Sequence, residues 1–147
     1  MDNFLILESV ITERLRQRLP AGVGVYTRAD LAGLNEGNQP SPAVHVIYQG
    51  YRITETRPDG RAARIAQTWT AVVAVRNARA QVTLDAARED AGEIASAVCA
   101  ALMGWHAAGS AAPATLINSV APGAAAGFFY LPLSFEFETV LHGDAQA

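Results

Sequence analysis

The chain reads as an α+β fold: a two-layer sandwich of a mainly antiparallel sheet with a long β-hairpin and two helices packed on one face. Three observations predict it. Two segments, 3–19 and about 83–103, carry apolar residues every three or four positions, the spacing of a helix with one buried stripe. Between them, two β-branched and aromatic runs flank a compact turn signal. Near the C-terminus, apolar and polar residues alternate strictly, as in a half-buried strand.

The first helix places Phe4, Leu7, Ile11, Leu15 and Leu19 on one stripe. Asp2 or Asn3 can cap its start and Pro20 stops it. Val23 to Tyr26 reads as a short strand, and residues 27–42, rich in Gly, Asn and Pro, as a connector with one helical turn at Arg28–Leu34. A strand from Ala43 to about Thr54 carries Gly50 in its middle, the mark of a bulge or a close backbone approach. Arg57-Pro58-Asp59-Gly60-Arg61 is a turn, because Pro presets φ and Gly accepts a positive one. The return strand runs from about Ala63 to Asn77. Arms of ~40 Å, at ~3.3 Å per residue, must bend at Gly50 or project beyond the body.

Thr83 or Asp85 can cap the second helix, which ends at Met103 before Gly104. Its main stripe is Ala91, Ile94, Val98, Leu102 and Trp105, yet from Ile94 to Met103 only Ser96 is polar. A helix apolar on nearly all sides is covered on more than one, by this chain or by another subunit. Residues 106–126 read as loop with a short edge strand at Thr115–Val120. In the last strand Phe129, Leu131, Leu133, Phe135 and Phe137 alternate with Tyr130, Pro132, Ser134, Glu136 and Glu138. Pro132 requires an edge or a bulge there, and the tail from His142 is expected to fray. No repeat or linker divides the chain, so a single domain spans 1–147.

Composition narrows the function. Eleven basic residues, all Arg, face fourteen acids, for a net charge of −3 that argues against a protein gripping nucleic-acid phosphates. One cysteine calls for no disulfide. The N-terminus lacks the pattern of a signal peptide, and no apolar run reaches the ~18 residues of a membrane span. No P-loop, dinucleotide fingerprint, nucleophile elbow or zinc spacing appears. His45 and Cys99 read as structural residues of a strand and a helix rather than as a base or a nucleophile. Catalytic, cofactor and metal residues are therefore none.

Charge is unevenly divided. Residues 1–79 hold ten Arg against seven acids, or +3, while residues 80–147 hold Arg88 against seven acids, or −6. Arg64 and Arg76 share strand parity with Thr68 and Thr70, opposite to Ile65, Trp69 and Val73, while Glu136 and Glu138 share one face of the last strand. Ordinary cross-strand pairing on a wet face explains these residues, and so does a subunit whose halves attract their counterparts head to tail. Arg57, Asp59 and Arg61 at the hairpin tip are the residues with the reach to touch a partner. Together with Arg64, Arg76, Glu136 and Glu138 they form the candidate partner-binding set, the two glutamates also being candidates for a ring lumen.

Four stretches occur in order: Ala43-Val44-His45-Val46-Ile47-Tyr48-Gln49-Gly50-Tyr51; Ala66-Gln67-Thr68-Trp69-Thr70-Ala71-Val72-Val73-Ala74-Val75-Arg76-Asn77; Ala91-Gly92 with Leu102-Met103-Gly104-Trp105; and Tyr130-Leu131-Pro132-Leu133-Ser134-Phe135-Glu136. Together they resemble the small tail proteins of Mu-like phages and prophages, related in kind to the tail terminator proteins of long-tailed phages. The resemblance runs from the first helix to the last strand and rests on order and spacing, with no catalytic signature among its motifs. Where that family often has a Pro soon after the helix-end Trp, this chain has His106-Ala107-Ala108, which implies a different loop.

The resemblance implies a structural protein, not an enzyme. Its copies would form a ring, a hexamer on assembly, that caps the tail tube, ends polymerisation and offers a surface to the head–tail connector. Its partners would be its own copies, the tube protein and the connector, with DNA only passing through and no membrane. Its place would be the host cytoplasm during assembly and then the virion tail. The alternatives are a head–tail joining component of the same tail module, a small-molecule-binding α+β domain, and a hydrolase using Glu136, Glu138 or His45.

Overall fold

In the computed structural model, which describes residues 3–76 and 85–144, the elements follow the expected order. Helix α1 (Leu7–Arg18) leads into strand β1 (Gly24–Thr27) and the short helix α2 (Arg28–Leu31). The hairpin is β2 (Ala43–Thr56) and β3 (Ala62–Arg76). Helix α3 (Asp85–Leu102) precedes β4 (Thr115–Ile117), β5 (Gly123–Ala125) and β6 (Phe128–His142). The six strands form one mixed, mostly antiparallel sheet in the order β1-β2-β3-β6-β4, with β5 also on β6. Among the described residues only β1 and β2 run parallel.

Helix α1 starts later than its apolar stripe suggests. Residues 4–6 form a turn in which Asn3 accepts the Leu5 N–H at 2.9 Å, and Ile6 at the N-cap makes no side-chain cap. The cap expected of Asp2 lies outside the described residues, as do Thr83 and the last three residues of the tail. Leu7, Ile11 and Leu15 are fully buried, whereas Phe4 stands partly exposed against Tyr51, ring centroids 5.5 Å apart. The helical turn expected after residue 27 is α2, held by a capping box: Thr27 Oγ1 accepts from Asp30 N, and Asp30 accepts from Thr27 N.

Both long helices lie on one face of the sheet, α1 over β1 and β2, α3 over β3 and β6. Arg14 ties them together by donating from Nε to the Ala101 carbonyl at 3.0 Å, with its guanidinium over the Trp105 ring. Under them Val44, Val46, Trp69, Ala71, Val73, Val98, Leu102, Phe135 and Phe137 form the core. Trp69 is 1% exposed. Its indole N–H donates to Gln67 Oε1 at 3.0 Å, and Gln67 Nε2 donates to the Phe4 carbonyl at 2.9 Å. That buried relay satisfies three polar groups and fixes the chain just ahead of α1 to the centre of the sheet.

Register shows why Gly50 is a bulge and not a close approach. Trp69 pairs with Tyr48 and Thr68 with Gly50, so Gln49 is the extra residue. Gly50 has φ +107°, while a Cβ built on it would meet nothing within 4 Å. The bulge resets parity: before it Val44, Val46 and Tyr48 face the helices, and after it Tyr51 and Ile53 do. A second shift falls between Ile53 and Glu55. Pro132 sits where β6 has a strand only on its β3 side, between the segments paired with β4 and with β5. β5 was not expected; Gly-Ala-Ala has neither alternation nor β-branching, and it pairs only because Phe128–Tyr130 offer a free edge.

The opposite face of the sheet is closed at one end by the connector. Arg76 donates to the carbonyls of Gly37 and Gln39 at 3.0 and 3.2 Å, and its guanidinium lies 4.7 Å from the centre of the Phe128 ring. Tyr130 O–H donates to Glu36 and accepts from Gln39 Nε2 at 2.7 Å.

Two outcomes follow. Gln67→Leu leaves a buried indole N–H and a carbonyl unpartnered, so urea unfolding should show a loss of about 1–3 kcal/mol; an unchanged midpoint would remove the relay from the account of α1. Burial, and then the bond and charge of Glu36, push the Tyr130 phenol up to about 12. The unfolded chain ionises this group near pH 10 and the folded chain holds its proton longer, so this contribution to stability is full below pH 10 and is lost as pH rises to about 12. Tyr130→Phe should flatten that part of the alkaline stability curve relative to wild type.

Candidate functional site

The hairpin leaves the body of the protein. From Tyr51 to Arg61 every residue is exposed, whereas Ile65 to Gln67 on the return strand are buried. At the tip Arg57 N donates to the Ala62 carbonyl and Gly60 N to the Arg57 carbonyl, both at 2.9 Å, with Gly60 at φ +74°. Asp59 closes the turn by accepting the Arg61 N–H at 3.0 Å and pairing with the Arg57 guanidinium at 3.3 Å. The tip is thus a locally braced turn presenting two guanidinium groups and one carboxylate.

Below the tip, the face away from the helices carries a charged ladder. Arg52 binds Glu136 with two bonds of 3.0 Å, and Arg64 meets Glu138 at 3.3 Å. Ala66 lies in register between Arg52 and Glu138 and is 1% exposed. The bond and the charge of Glu136 raise the Arg52 pKa further, so that guanidinium stays charged. Both glutamates that the sequence offers for a partner or a lumen are thus paired within the chain. Arg76 lies far from this ladder, at the other end of β3, holding the connector. The seven candidate residues therefore divide into a tip (Arg57, Asp59, Arg61), a ladder (Arg64, Glu136, Glu138) and one internal clamp (Arg76).

Arg52 was not among the candidates, although its tie to Glu136 is the best-aligned ion pair on this face. Simple alternation from Val44 puts residue 52 on the helix side; the extra residue at Gln49 turns it outward. Only Gly50 in the sequence signals the switch.

Elsewhere the chemistry is structural. His45 lies in register between Tyr26 and Val72, with Nε2 buried and without a partner, and burial lowers its pKa. The satisfied role expected for it is therefore incomplete at that nitrogen. Burial raises the Cys99 thiol pKa, the opposite of what a nucleophile needs. Among the described residues no group of three or more His, Cys, Asp or Glu is placed to hold a metal ion, and no helix is long and apolar enough to cross a membrane. An open groove of about 530 Å³ runs beside α1, lined by Val10, Glu13, Arg14 and Trp105 among others. Its Arg14 is already committed to Ala101 and to the Trp105 ring.

No curated protein sequence matches the chain. A family model does, over residues 1–146, and its description is phage tail terminator protein. An α+β body bearing a braced, exposed hairpin tip accords with that match. The chain belongs to the phage tail terminator protein family.

Proposed function

We propose that this chain caps the tail tube as a closed ring of its own copies, a hexamer, with one face on the last layer of the tube and the other on the head–tail connector. The family gives the coarser role: a structural tail component that associates with the tube and ends it, with no reaction to catalyse. The ring, its stoichiometry and the connector are the proposal, as are a place among Mu-like tails, which rests on the ordered sequence motifs, and assembly in the host cytoplasm.

The observation that carries this reading is the hairpin, in which every residue from Tyr51 to Arg61 is exposed. A cap must bind the end of a polymer strongly enough to block the next subunit, and needs contact area away from its own core. Arg57, Asp59 and Arg61 are the tube-contacting residues in this reading. The ladder of Arg52, Arg64, Glu136 and Glu138 keeps the base of the arm in line, since a flexible arm loses ordering entropy on binding that a braced one does not. Pairing also leaves little free charge on that face to hold or repel DNA passing through the ring.

Replacing Arg57 and Arg61 together by Ala should lengthen tubes grown with the protein, as seen by electron microscopy, and leave its melting temperature unchanged. Tubes of normal length would remove the tip from the contact. Tails produced without the protein, if normal in length and joined to heads, would remove the capping function itself.

A further inference from the structure

The edge of a sheet exposes main-chain N–H and C=O groups that another strand can pair, and proteins ordinarily blunt such edges. Much of this sheet's edge is closed. Arg16 takes up the Val25 carbonyl of the edge strand β1 at 2.9 Å. β6 carries β5, then β4, and then Ala111, whose N–H donates to the Glu138 carbonyl at 2.6 Å. β2 differs. β1 pairs with it only over residues 43–46, so over residues 47–56 its bonded neighbour is β3 alone. That is the longest open edge among the described residues.

Two bulges bound a regular stretch of this edge. The register shifts at Gln49 and again between Ile53 and Glu55, which leaves residues 50–53 evenly paired with β3. On the side that carries the core, Tyr51 and Ile53 are 55% and 61% exposed. On the other side Arg52 is the charge that would guard the edge, but it is drawn inwards across β3 to Glu136. The same four residues therefore combine an unpaired main chain with two uncovered apolar side chains two positions apart. A helix laid on that face would cover the side chains and leave the main chain unpaired. An added strand satisfies both, because its own side chains repeat with the same period of two.

We infer that residues 50–53 accept an extended segment of the tail tube protein as an added strand, with apolar side chains of that segment against Tyr51 and Ile53. The inference rests on the tip contact proposed above and extends it down one side of the arm. Two observations select the tube over a second copy. The open edge leads straight into the tip: Ile53 and Arg57 are separated by no more than ~13 Å of extended chain, at ~3.3 Å per residue, so a tube subunit held at the tip already stands beside the edge. A second copy, by contrast, has little to donate. Every strand among the described residues is already part of its own sheet, and the outer edge of β4 offers three residues.

Hydrogen exchange of the full chain, read by mass spectrometry with and without tubes of the tail tube protein, tests this. On tubes, the main-chain N–H groups of residues 50–53 should exchange slower by about tenfold or more. Slowing at residues 57–61 with none at 50–53 would overturn the added strand and leave the tip contact standing. Slowing at neither would remove the tip contact and this extension of it together. Slowing at 50–53 that appears without tubes as the chain is concentrated would overturn the choice of occupant in favour of a second copy. Ile53→Lys gives an independent reading, since the side chain is exposed and its replacement should leave the melting temperature unchanged. This variant should co-sediment with tubes about tenfold more weakly than wild type, and undiminished binding would overturn the inference.

Discussion

A strand advances about 3.3 Å per residue and a helix about 1.5 Å, and the architecture follows from that mismatch. β3, with 15 residues, spans about 50 Å. α3, with 18, spans about 27 Å, and α1, with 12, about 18 Å. Two helices of this length cannot cover three strands of that length. One end of the sheet is therefore roofed on both sides, by the helices and by the connector that Arg76 and Tyr130 clamp down. The other end runs free as an arm. The polarity of the molecule, closed at one end and open at the other, is a consequence of chain geometry before any side chain at the tip is considered.

An unsupported arm of β-structure is unstable alone, since two strands in water bury too little. Here it becomes three-stranded, because β6 continues to His142 alongside β3 as far as Ala62. It is then stiffened by the ladder, which depends on one inserted residue. With Gln49 looped out, Arg52 stands on the face of Glu136, and Tyr51 and Ile53 turn to the helix side where no helix of their own reaches. The bulge thus produces both the paired face and the uncovered apolar one.

Most of the layers were legible in the sequence, because buried stripes and alternation are imposed by the core: Leu7, Ile11 and Leu15 on α1, Ala91, Ile94, Val98 and Leu102 on α3, and the odd-numbered aromatics of β6 all face inward as their spacing requires. The turn at Arg57–Arg61 was legible from its Pro and Gly, and Pro132 from its missing N–H. What escaped was set by tertiary context. Phe4 fits the α1 stripe by period, yet the helix begins after it, since Gln67 takes the Phe4 carbonyl. β5 has no propensity of its own and exists because an edge was vacant. Of the candidate site, the tip residues were identifiable by reach, but the pairing of Glu136 with Arg52 depends on the register that the bulge beside Gly50 resets, and the role of Arg76 depends on how residues 37–39 fold back over the sheet.

The apolar run of α3 shows how a sequence signal can have two sources at once. Its near-continuous hydrophobicity required cover on more than one side, and the chain itself supplies part: the sheet buries Ala91, Ile94 and Val98, and Arg14 of α1 reaches the Ala101 carbonyl. What remains outside is narrow, Ser96, Ala100 and Met103. An isolated helix face would ordinarily be filled with charges at such positions, as it is one and two turns earlier at Glu93 and Glu89. The switch from carboxylates to small and apolar side chains along a single exposed line is expected of a surface that spends part of its life in contact. Apolar side chains flanked by carboxylates on one exposed line offer contact area while the charges beside them keep the surface hydrated.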